Sequence, residues 1–590
     1  MAHSSLLMTA HEALKTYFGY DDFRPLQAEI VQSVLEGQDT LALMPTGGGK
    51  SLCFQVPTMA MNGLCLVITP LIALMKDQVE NLRQRDIRAA AIYTGMSYEQ
   101  QKTALDNCLW GPYHFLYVSP ERLESEEFRE RLSRLPICLI AVDEAHCISQ
   151  WGYDFRPSYL KIAEIREVVQ KYRSSGVQEF KSASSPHIPI LALTATATPE
   201  VVDDIQERLA FREKNVLRKS FARSNISYVV RESNKKADEI VHILNRVPGS
   251  AIVYVRNRQR TQELAAYLLE KGISADFYHA GLSAQERAEK QEAWKIGEKA
   301  IKREGEKHGT RVIVATNAFG MGIDKPDVRV VIHHDLPDTI EAYFQEAGRA
   351  GRDEKQAFAI LLYDPSDKTK ARKRIADNYP DEETLHNVYH KTCNYLGIGA
   401  DSGEGATFFV DMFDLCKKMH LPVFPTYSAL HLLSQMGYFS FDEEQEIQPR
   451  VRLRVSRREL EEYRLTEEQN SLLEHLMREY TGIFTDLQYV HKLEDKHQEL
   501  VALAQRRIID YVPRTKANVL RLTVNRQAQI RIPEEFYKER KNHYASKLKA
   551  MVEYAENKHY CRSQVLLSYF GENDAPTCGT CDICRTNSKH

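Results

Sequence analysis

The 590-residue chain predicts an α/β protein: two tandem doubly wound parallel sheets, then a winged-helix-like region and a small C-terminal module with four cysteines. Three observations point there. Short apolar runs such as Thr40–Met44 (TLALM) and Ile137–Val142 (ICLIAV) read as strands buried on both faces, and each ends in glycine-rich or acidic residues. From Ser250 the same alternation of apolar run and helical segment begins again. Near the C-terminus four cysteines stand at a spacing suited to one metal ion. The expected division is 1–210, 211–365, 366–533 and 534–590, in keeping with roughly four domains for this length.

Hydrophobic residues make up 43% of the chain, enough for several separate cores. The longest apolar stretch, Leu64–Met75, is interrupted by Thr69 and Pro70 and is too short to cross a bilayer, so no membrane span is expected. Met1–Ala13 has neither the basic start nor the long apolar run of a secretory signal. The expected location is therefore the reducing cytoplasm, where eleven cysteines argue against disulfides. A net charge of −3 does not describe a globally basic nucleic-acid binder, so such binding has to come from local patches. Lys368–Arg374 (KTKARKR), Arg450–Arg458 (RVRLRVSRR) and Arg506–Arg521 are patches of that kind, although each alone fits a solvated charged face equally well.

In chain order, the first candidate contacts are Tyr20, Arg24 and Gln27 in Phe18–Gln27 (FGYDDFRPLQ). Tyr20 offers a stacking ring and Gln27 an amide that can pair with adenine; the segment also fits an ordinary helix start with Pro25 in its first turn. Next, Thr40–Met44 runs into the loop Pro45–Gly49 (PTGGG) and a helix start at Lys50. In that order, Thr46, Gly47, Gly48 and Gly49 let backbone N–H groups approach phosphates, Lys50 pairs with the β/γ oxygens of ATP, and Ser51 can ligate Mg²⁺. Met44 replaces the first glycine of the general G-x-x-x-x-G-K-[ST] pattern, and TGGGKS taken alone also fits a flexible turn.

Asp143–Pro157 (DEAHCISQWGYDFRP) carries the most information. The strand Ile137–Val142 delivers Asp143 and Glu144 to its carboxyl end, where nucleotides bind in parallel α/β sheets. Asp143 can hold Mg²⁺ there, and Glu144 can orient or deprotonate the attacking water. The following Trp151, Tyr153, Phe155 and Arg156 are able to stack on bases and touch phosphate. TGGGKS followed by DEAH, at a distance suited to two or three βα units, is a strong joint signal.

After a polar stretch at Tyr172–Pro186, Ile188–Ala197 (IPILALTATA) reads as a strand ending in Thr194 and Thr196, which can sense the nucleotide from DEAH. Ser250–Val255, Ala275–Gly281, Arg311–Thr316 and Arg329–His333 then read as four strands of a second doubly wound unit without a phosphate loop. Lys295–Gly309 reads as an exposed charged insertion. Gln345–Asp353 (QEAGRAGRD) places Arg349 and Arg352 one turn of helix, or a tight loop, apart. If the two halves face each other, these arginines complete the phosphate site in cis, an effect of roughly 10³–10⁵ in rate in comparable systems.

Together these residues resemble the RecQ family of superfamily 2 DNA helicases. The likeness covers most of residues 10–360. It is carried by FGYDDFRPLQ, MPTGGGKS, TPLIALMKDQ at Thr69–Gln78, SPER at Ser119–Arg122, DEAHCISQWGYDFRP, LTATAT, YHAGLS at Tyr278–Ser283, ATNAFGMGIDKPDVR at Ala315–Arg329 and YFQEAGRAGRD. The loop after DEAH discriminates, since TGGGKS, DEAH and GRAGR also fit many RNA helicases. The resemblance implies two RecA-like domains and an ATP-dependent 3′→5′ DNA translocase that separates strands in recombination and repair. It makes Lys50, Asp143, Glu144, Gln345, Arg349 and Arg352 the hydrolysis machinery, and Trp151, Phe155 and Arg156 the coupling loop to single-stranded and duplex DNA. Tyr153 departs from the family's usual histidine, exchanging a titratable ring for a phenol that is neutral near pH 7.

Cys561, Cys578, Cys581 and Cys584 form C-x₁₆-C-x₂-C-x₂-C, a set of soft ligands able to close a tetrahedral Zn²⁺ site, preceded by a helix near Glu535–Tyr560. The pattern is similar to the family's zinc module, with a structural role. About 160 residues separate it from the helicase-like core, where the family places it directly after the core. Within them Tyr427–Phe441 (YSALHLLSQMGYFSF) reads as a recognition helix ending at Gly437 and running into a wing strand, and Glu499–Val524 repeats a helix-to-strand pattern. A helical spacer without DNA contact is the alternative. The rivals to a DNA helicase are an RNA-stimulated ATPase, a DNA translocase that leaves strands paired, and a DNA-binding switch without turnover.

Overall fold

Seven parallel strands form the first sheet: β1 (Thr40–Leu43), β2 (Leu64–Ile68), β3 (Ala89–Ile92), β4 (Phe115–Val118), β5 (Ile137–Val142), β6 (Ile190–Thr194) and β7 (Val216–Arg218). Their order is β3-β4-β2-β5-β6-β1-β7, and every pair is parallel. In this computed structural model the described residues are 8–45, 47–93, 96–152, 155–174, 187–297, 309–320, 325–447, 450–455, 459–463, 465–479, 488–489, 496–512 and 515–588. Strands β1, β2, β4, β5 and β6 are buried at every position, which is why they read as continuous apolar runs. The helices Gln27–Leu35 and Leu52–Met61 pack on one face, through Ile30, Val31, Phe54 and Val56 among others. Because β6 lies between β1 and β5, the loops leaving these three strands share one edge of the sheet.

The second sheet holds six parallel strands: β8 (Ile226–Glu232), β9 (Ser250–Tyr254), β10 (Ala275–Tyr278), β11 (Val312–Ala315), β12 (Val328–His333) and β13 (Ala357–Tyr363), in the order β10-β11-β9-β12-β13-β8. The sequence reading finds four of them, β9 to β12, and passes over the apolar run of β13 (AFAILLY) as well as β8. Strand β8 escapes it because an edge strand pairing only with β13 is half exposed toward its end and spells ISYVVRE, without a sustained apolar run. The Ile188–Ala197 run yields only five strand residues; at its end the Thr194 hydroxyl donates to the Thr196 carbonyl and accepts from the Thr196 N–H.

A buried ion pair ties down the first sheet. Asp39, just ahead of β1, accepts from Arg166 Nη1 at 2.9 and 2.8 Å, from the Ile190 N–H that opens β6 at 2.9 Å, and from the Arg212 N–H at 3.1 Å. Both charged side chains are buried.

The chain folds as two units, Met1–Ala371 with His543–His590, and Arg372–Asn542. The second unit is therefore inserted in the first. The chain leaves within the helix Pro365–Asn378 and returns within the helix Glu534–Glu556. In the first unit Lys368 and the Tyr363 hydroxyl both meet Glu556, at 2.9 and 2.8 Å, although the whole insertion separates them in sequence. The long separation between core and cysteine module is thus an insertion into a helical pair.

The inserted unit has the helices Glu382–Tyr395, Met412–Met419 and Val423–Gln435, with β14 (Thr407–Val410), β15 (Phe439–Ile447) and, further along, β19 (Thr515–Leu522) in an antiparallel sheet ordered β14-β19-β15. Helix, strand, two helices and two strands in that order have winged-helix topology. Gly437, at φ +80°, ends the third helix before β15. In place of a wing tip, residues between β15 and β19 build a second sheet from β16 (Arg450–Leu453), β17 (Gln488–Tyr489) and β18 (Ile509–Val512), with its own core around Leu472, Leu476, Leu500 and Leu503.

Replacing Asp39 by alanine leaves the Arg166 guanidinium buried without its carboxylate, and the expected loss of stability is about 3–5 kcal/mol. Urea unfolding of Asp39→Ala against the parent chain checks it.

Candidate functional site

The loop after β1 is shaped by its glycines and held by the segment ahead of the first sheet. Gly47 and Gly49 have φ of +79° and +77°, and a Cβ on Gly48 would stand 2.9 Å from the Pro45 carbonyl oxygen. Gln27 is buried at 1% exposure; its amide donates to the carbonyls of Gly48 (3.4 Å) and Gly49 (3.0 Å), while its Oε1 accepts from the Arg24 N–H at 2.9 Å. Arg24 Nη1 donates to the Gly47 carbonyl at 3.2 Å. Arg24 and Gln27 are thus directed onto the glycine loop, and Tyr20 stands half exposed. Thr46 lies outside the described residues.

Sequence reasoning missed one member of this group. Gln78, the last residue of TPLIALMKDQ, donates to Ser51 Oγ at 3.2 Å and accepts from the buried Tyr117 hydroxyl at 2.8 Å. The motif containing Gln78 was the available signal; its partners, 27 and 39 residues away, were not.

Across β6 from this loop, β5 ends in the acid pair. Glu144 adopts a left-handed backbone, φ 48°. Its N–H donates to Asp143 Oδ1 at 3.0 Å, and the Tyr159 hydroxyl donates to the Asp143 carbonyl at 3.0 Å, fastening the far end of the aromatic segment to the acid. His146 Nδ1 lies 2.9 Å from Thr194 Oγ1 and 3.4 Å from Glu144 Oε2, joining the ends of β5 and β6. Burial, and after it the charge of Glu144, pushes the Asp143 carboxyl above its usual range, with Lys50 opposing. Burial acts on Glu144 too, but Lys50, His146 and Arg349 outweigh it and hold that carboxyl low.

The second sheet supplies the arginines. Gln345 is buried on the helix Ile340–Ala347, and Arg349, 5% exposed, follows it and donates to the Gly320 carbonyl. Arg352 reaches the glycine loop, its Cγ 3.6 Å from where a Cβ on Gly47 would stand. Lys50, Asp143, Glu144, Arg349 and Arg352 therefore border one cleft. Glycine loop, lysine, hydroxyl and buried carboxylate together suit a nucleoside triphosphate with a divalent cation.

Of the aromatic segment, Trp151 is 39% exposed, Phe155 is half-buried, and Arg156 meets Glu121 of SPER at 3.5 Å; Tyr153 lies outside the described residues. The basic patches are partly committed to acids: Lys368 to Glu556, Lys370 to Asp367, and Arg452 and Arg454 to Asp510. Most of Lys295–Gly309 and of Tyr172–Pro186, residues 321–324 of the ATNAFG segment, and Arg457, Arg458 and Arg514 of the patches also lie outside the described residues.

Cys561, Cys578, Cys581 and Cys584 bring their sulfurs within 4.8 Å of one another. The N–H groups of Cys578, Cys581 and Cys584 point at Cys561, Cys578 and Cys581 sulfurs at 3.3, 3.4 and 3.4 Å. The Cys581 thiol donates to Cys578, holding that thiol well below its ordinary range. Four sulfurs with N–H donors turned toward them fit Zn²⁺.

Comparison with known proteins matches three family descriptions in chain order: DEAD/DEAH box helicase over residues 24–205, helicase conserved C-terminal domain over 235–354, and RecQ zinc-binding over 521–585. The chain is 41% identical over 370 residues to the ATP-dependent DNA helicase RecQ of Haemophilus influenzae, covering 62% of this chain and 55% of that one. It is 40% identical over 361 residues to the probable ATP-dependent DNA helicase RecS of Bacillus subtilis, covering 60% and 67%. Among solved structures, the DUF1998 helicase MrfA bound to DNA is similar at 19% identity and a TM-score of 0.49, over 63% of this chain and 50% of that one. The Bacillus subtilis relative, the three family descriptions and the cysteine cluster agree: the chain belongs to the RecQ family of helicases. The matched region spans about half the length of the first curated relatives. No helix among the described residues is long and apolar enough to cross a membrane.

Cys581→Ser is expected to lose bound zinc and, with it, soluble expression. Metal analysis of the purified variant checks this; a well-folded, zinc-free Cys581→Ser chain would contradict a structural role for the ion.

Proposed function

We propose that this chain is an ATP-dependent DNA helicase that moves 3′→5′ on single-stranded DNA and separates duplex or branched DNA in recombination and repair. The observation that carries the reading is the single cleft bordered by Lys50, the Asp143–Glu144 pair and Arg349 and Arg352, tied through Tyr159 to the aromatic segment. In this reading Tyr20, Arg24 and Gln27 border the base, and Thr46 to Gly49 offer N–H groups to the phosphates. Lys50 neutralises the β and γ oxygens. Ser51, oriented by Gln78, and Asp143 hold Mg²⁺, which when bound offsets charge on the phosphates. Glu144, kept ionised by its cationic neighbours, orients the attacking water and accepts its proton. Gln345, buried on the helix that leads to Arg349, belongs to the same machinery in this reading, and Arg349 and Arg352 stabilise charge on the transferring phosphoryl group.

Trp151, Tyr153, Phe155 and Arg156 engage DNA, with the half-exposed Trp151 ring as base platform and Arg156 as phosphate contact. The winged-helix unit is a second place for duplex contact. The names of the relatives support ATP, DNA and unwinding together. Eleven free thiols, four of them grouped for zinc, support work in the reducing cytoplasm.

ATP turnover measured with single-stranded DNA and with single-stranded RNA tests the reading. Stimulation by DNA is expected, and stimulation by RNA alone would overturn it. Lys50→Ala is expected to abolish turnover. Trp151→Ala is expected to keep ATP binding while losing much of the DNA-stimulated rate, because each lost stack is worth about 1–3 kcal/mol.

A further inference from the structure

The aromatic segment is held at its centre by the long helix Glu534–Glu556. The Trp151 carbonyl accepts from Lys547 Nζ at 2.6 Å and lies 3.0 Å from His543 Nε2, and the His543 ring meets the Trp151 ring edge-on at 5.2 Å. The indole remains 39% exposed, so the backbone is tethered while the ring is available. Lys547 has a second partner. Its ammonium pairs with Glu341 Oε1 at 3.0 Å, and the two side chains are 7% and 3% exposed. Glu341 sits in the first turn of the helix Ile340–Ala347, one turn before Gln345 and two before Arg349.

One buried ammonium thus connects the Trp151 carbonyl in the first lobe to the helix of the second that carries Gln345 and runs into the turn bearing Arg349. An ammonium has three donors and no acceptor, and a buried one is stable only when paired and hydrogen-bonded. If nucleic acid draws Trp151 away, Lys547 loses an oxygen ligand and its interaction with Glu341 must change. The position of the segment and that of the helix are then linked through one charge.

We propose that Lys547 is a positioning residue that couples nucleic-acid engagement of the Trp151 segment to the placement of Gln345 and Arg349, through its shared contact with the Trp151 carbonyl and Glu341. This rests on the reading of that segment as the DNA contact.

The test is ATP turnover of the full chain, with and without single-stranded DNA, as kcat and KM. Lys547→Arg keeps donors for both oxygens and is expected to retain stimulation. Lys547→Met combined with Glu341→Leu removes both charges and leaves no lone buried ion, so the fold is expected to survive, as zinc content and melting temperature report. In that double variant the DNA-free rate and the KM for ATP are expected to stay near the parent values. The DNA-stimulated kcat is expected to fall by about fivefold or more, the range of ordinary coupling between sites. A folded double variant with full stimulation overturns the proposal. If the double variant does not fold, Glu341→Gln, which keeps an oxygen for the ammonium but removes the charge, takes its place: a lower ratio of stimulated to DNA-free turnover supports the link, and an unchanged ratio overturns it. Trp151→Ala measured alongside separates the two ideas. Full stimulation in Trp151→Ala removes the reading of the segment as DNA contact; lost stimulation there with full stimulation in the Lys547 variants removes only the link.

Discussion

Two adjacent carboxylates buried at the end of one strand are the constraint on which the rest of the first unit turns. Asp143, partly buried, and Glu144, buried, leave β5 at a point where water solvates them poorly, and such a pair is unstable unless positive charge is brought close. Lys50 comes from the loop after β1, the His146 ring stands beside Glu144, and the Arg349 guanidinium arrives from the second sheet. The strand order β5-β6-β1 makes the first of these possible, because it puts both loops at one edge. The last requires the second lobe. A charge pattern that is costly in isolation therefore favours the arrangement in which both lobes border one cleft.

Hydrogen bonds then fix what the charges only attract. Gln27 and Arg24 hold three consecutive carbonyls of the glycine loop and so fix the path of its backbone. Tyr159 fastens the Asp143 carbonyl, so a displacement of the segment between Asp143 and Tyr159 reaches the acid pair through covalent and hydrogen-bonded paths. The Asp39–Arg166 pair does comparable work at the opposite end of β1, where it braces the sheet rather than the cleft.

Much of this was legible along the chain, and most of the exceptions share a cause. Strand β5 with its acid pair, the lysine loop and the four cysteines are local patterns: a run of apolar residues, a glycine turn, a spacing. Gln78 on Ser51, Arg166 on Asp39 and Lys547 on Glu341 are pairs separated by 27, 127 and 206 residues, and no local pattern records which glutamine or lysine will find which partner. Strand β8 was lost for a different reason, since half of an edge strand is wetted and its sequence turns polar. The distance between core and cysteine module was plain, but its origin needed the fold: a unit of winged-helix topology is inserted between two helices that meet through Glu556.

If the acid pair and the arginine of the other lobe form one hydrolytic site, removing that arginine should separate binding from turnover. The direct measurement is ATP affinity beside DNA-stimulated kcat in Arg349→Ala. The account predicts affinity within about tenfold of the parent and kcat lower by roughly 10³ or more. A variant that turns over ATP at the parent rate would show that the cleft does not work as one site.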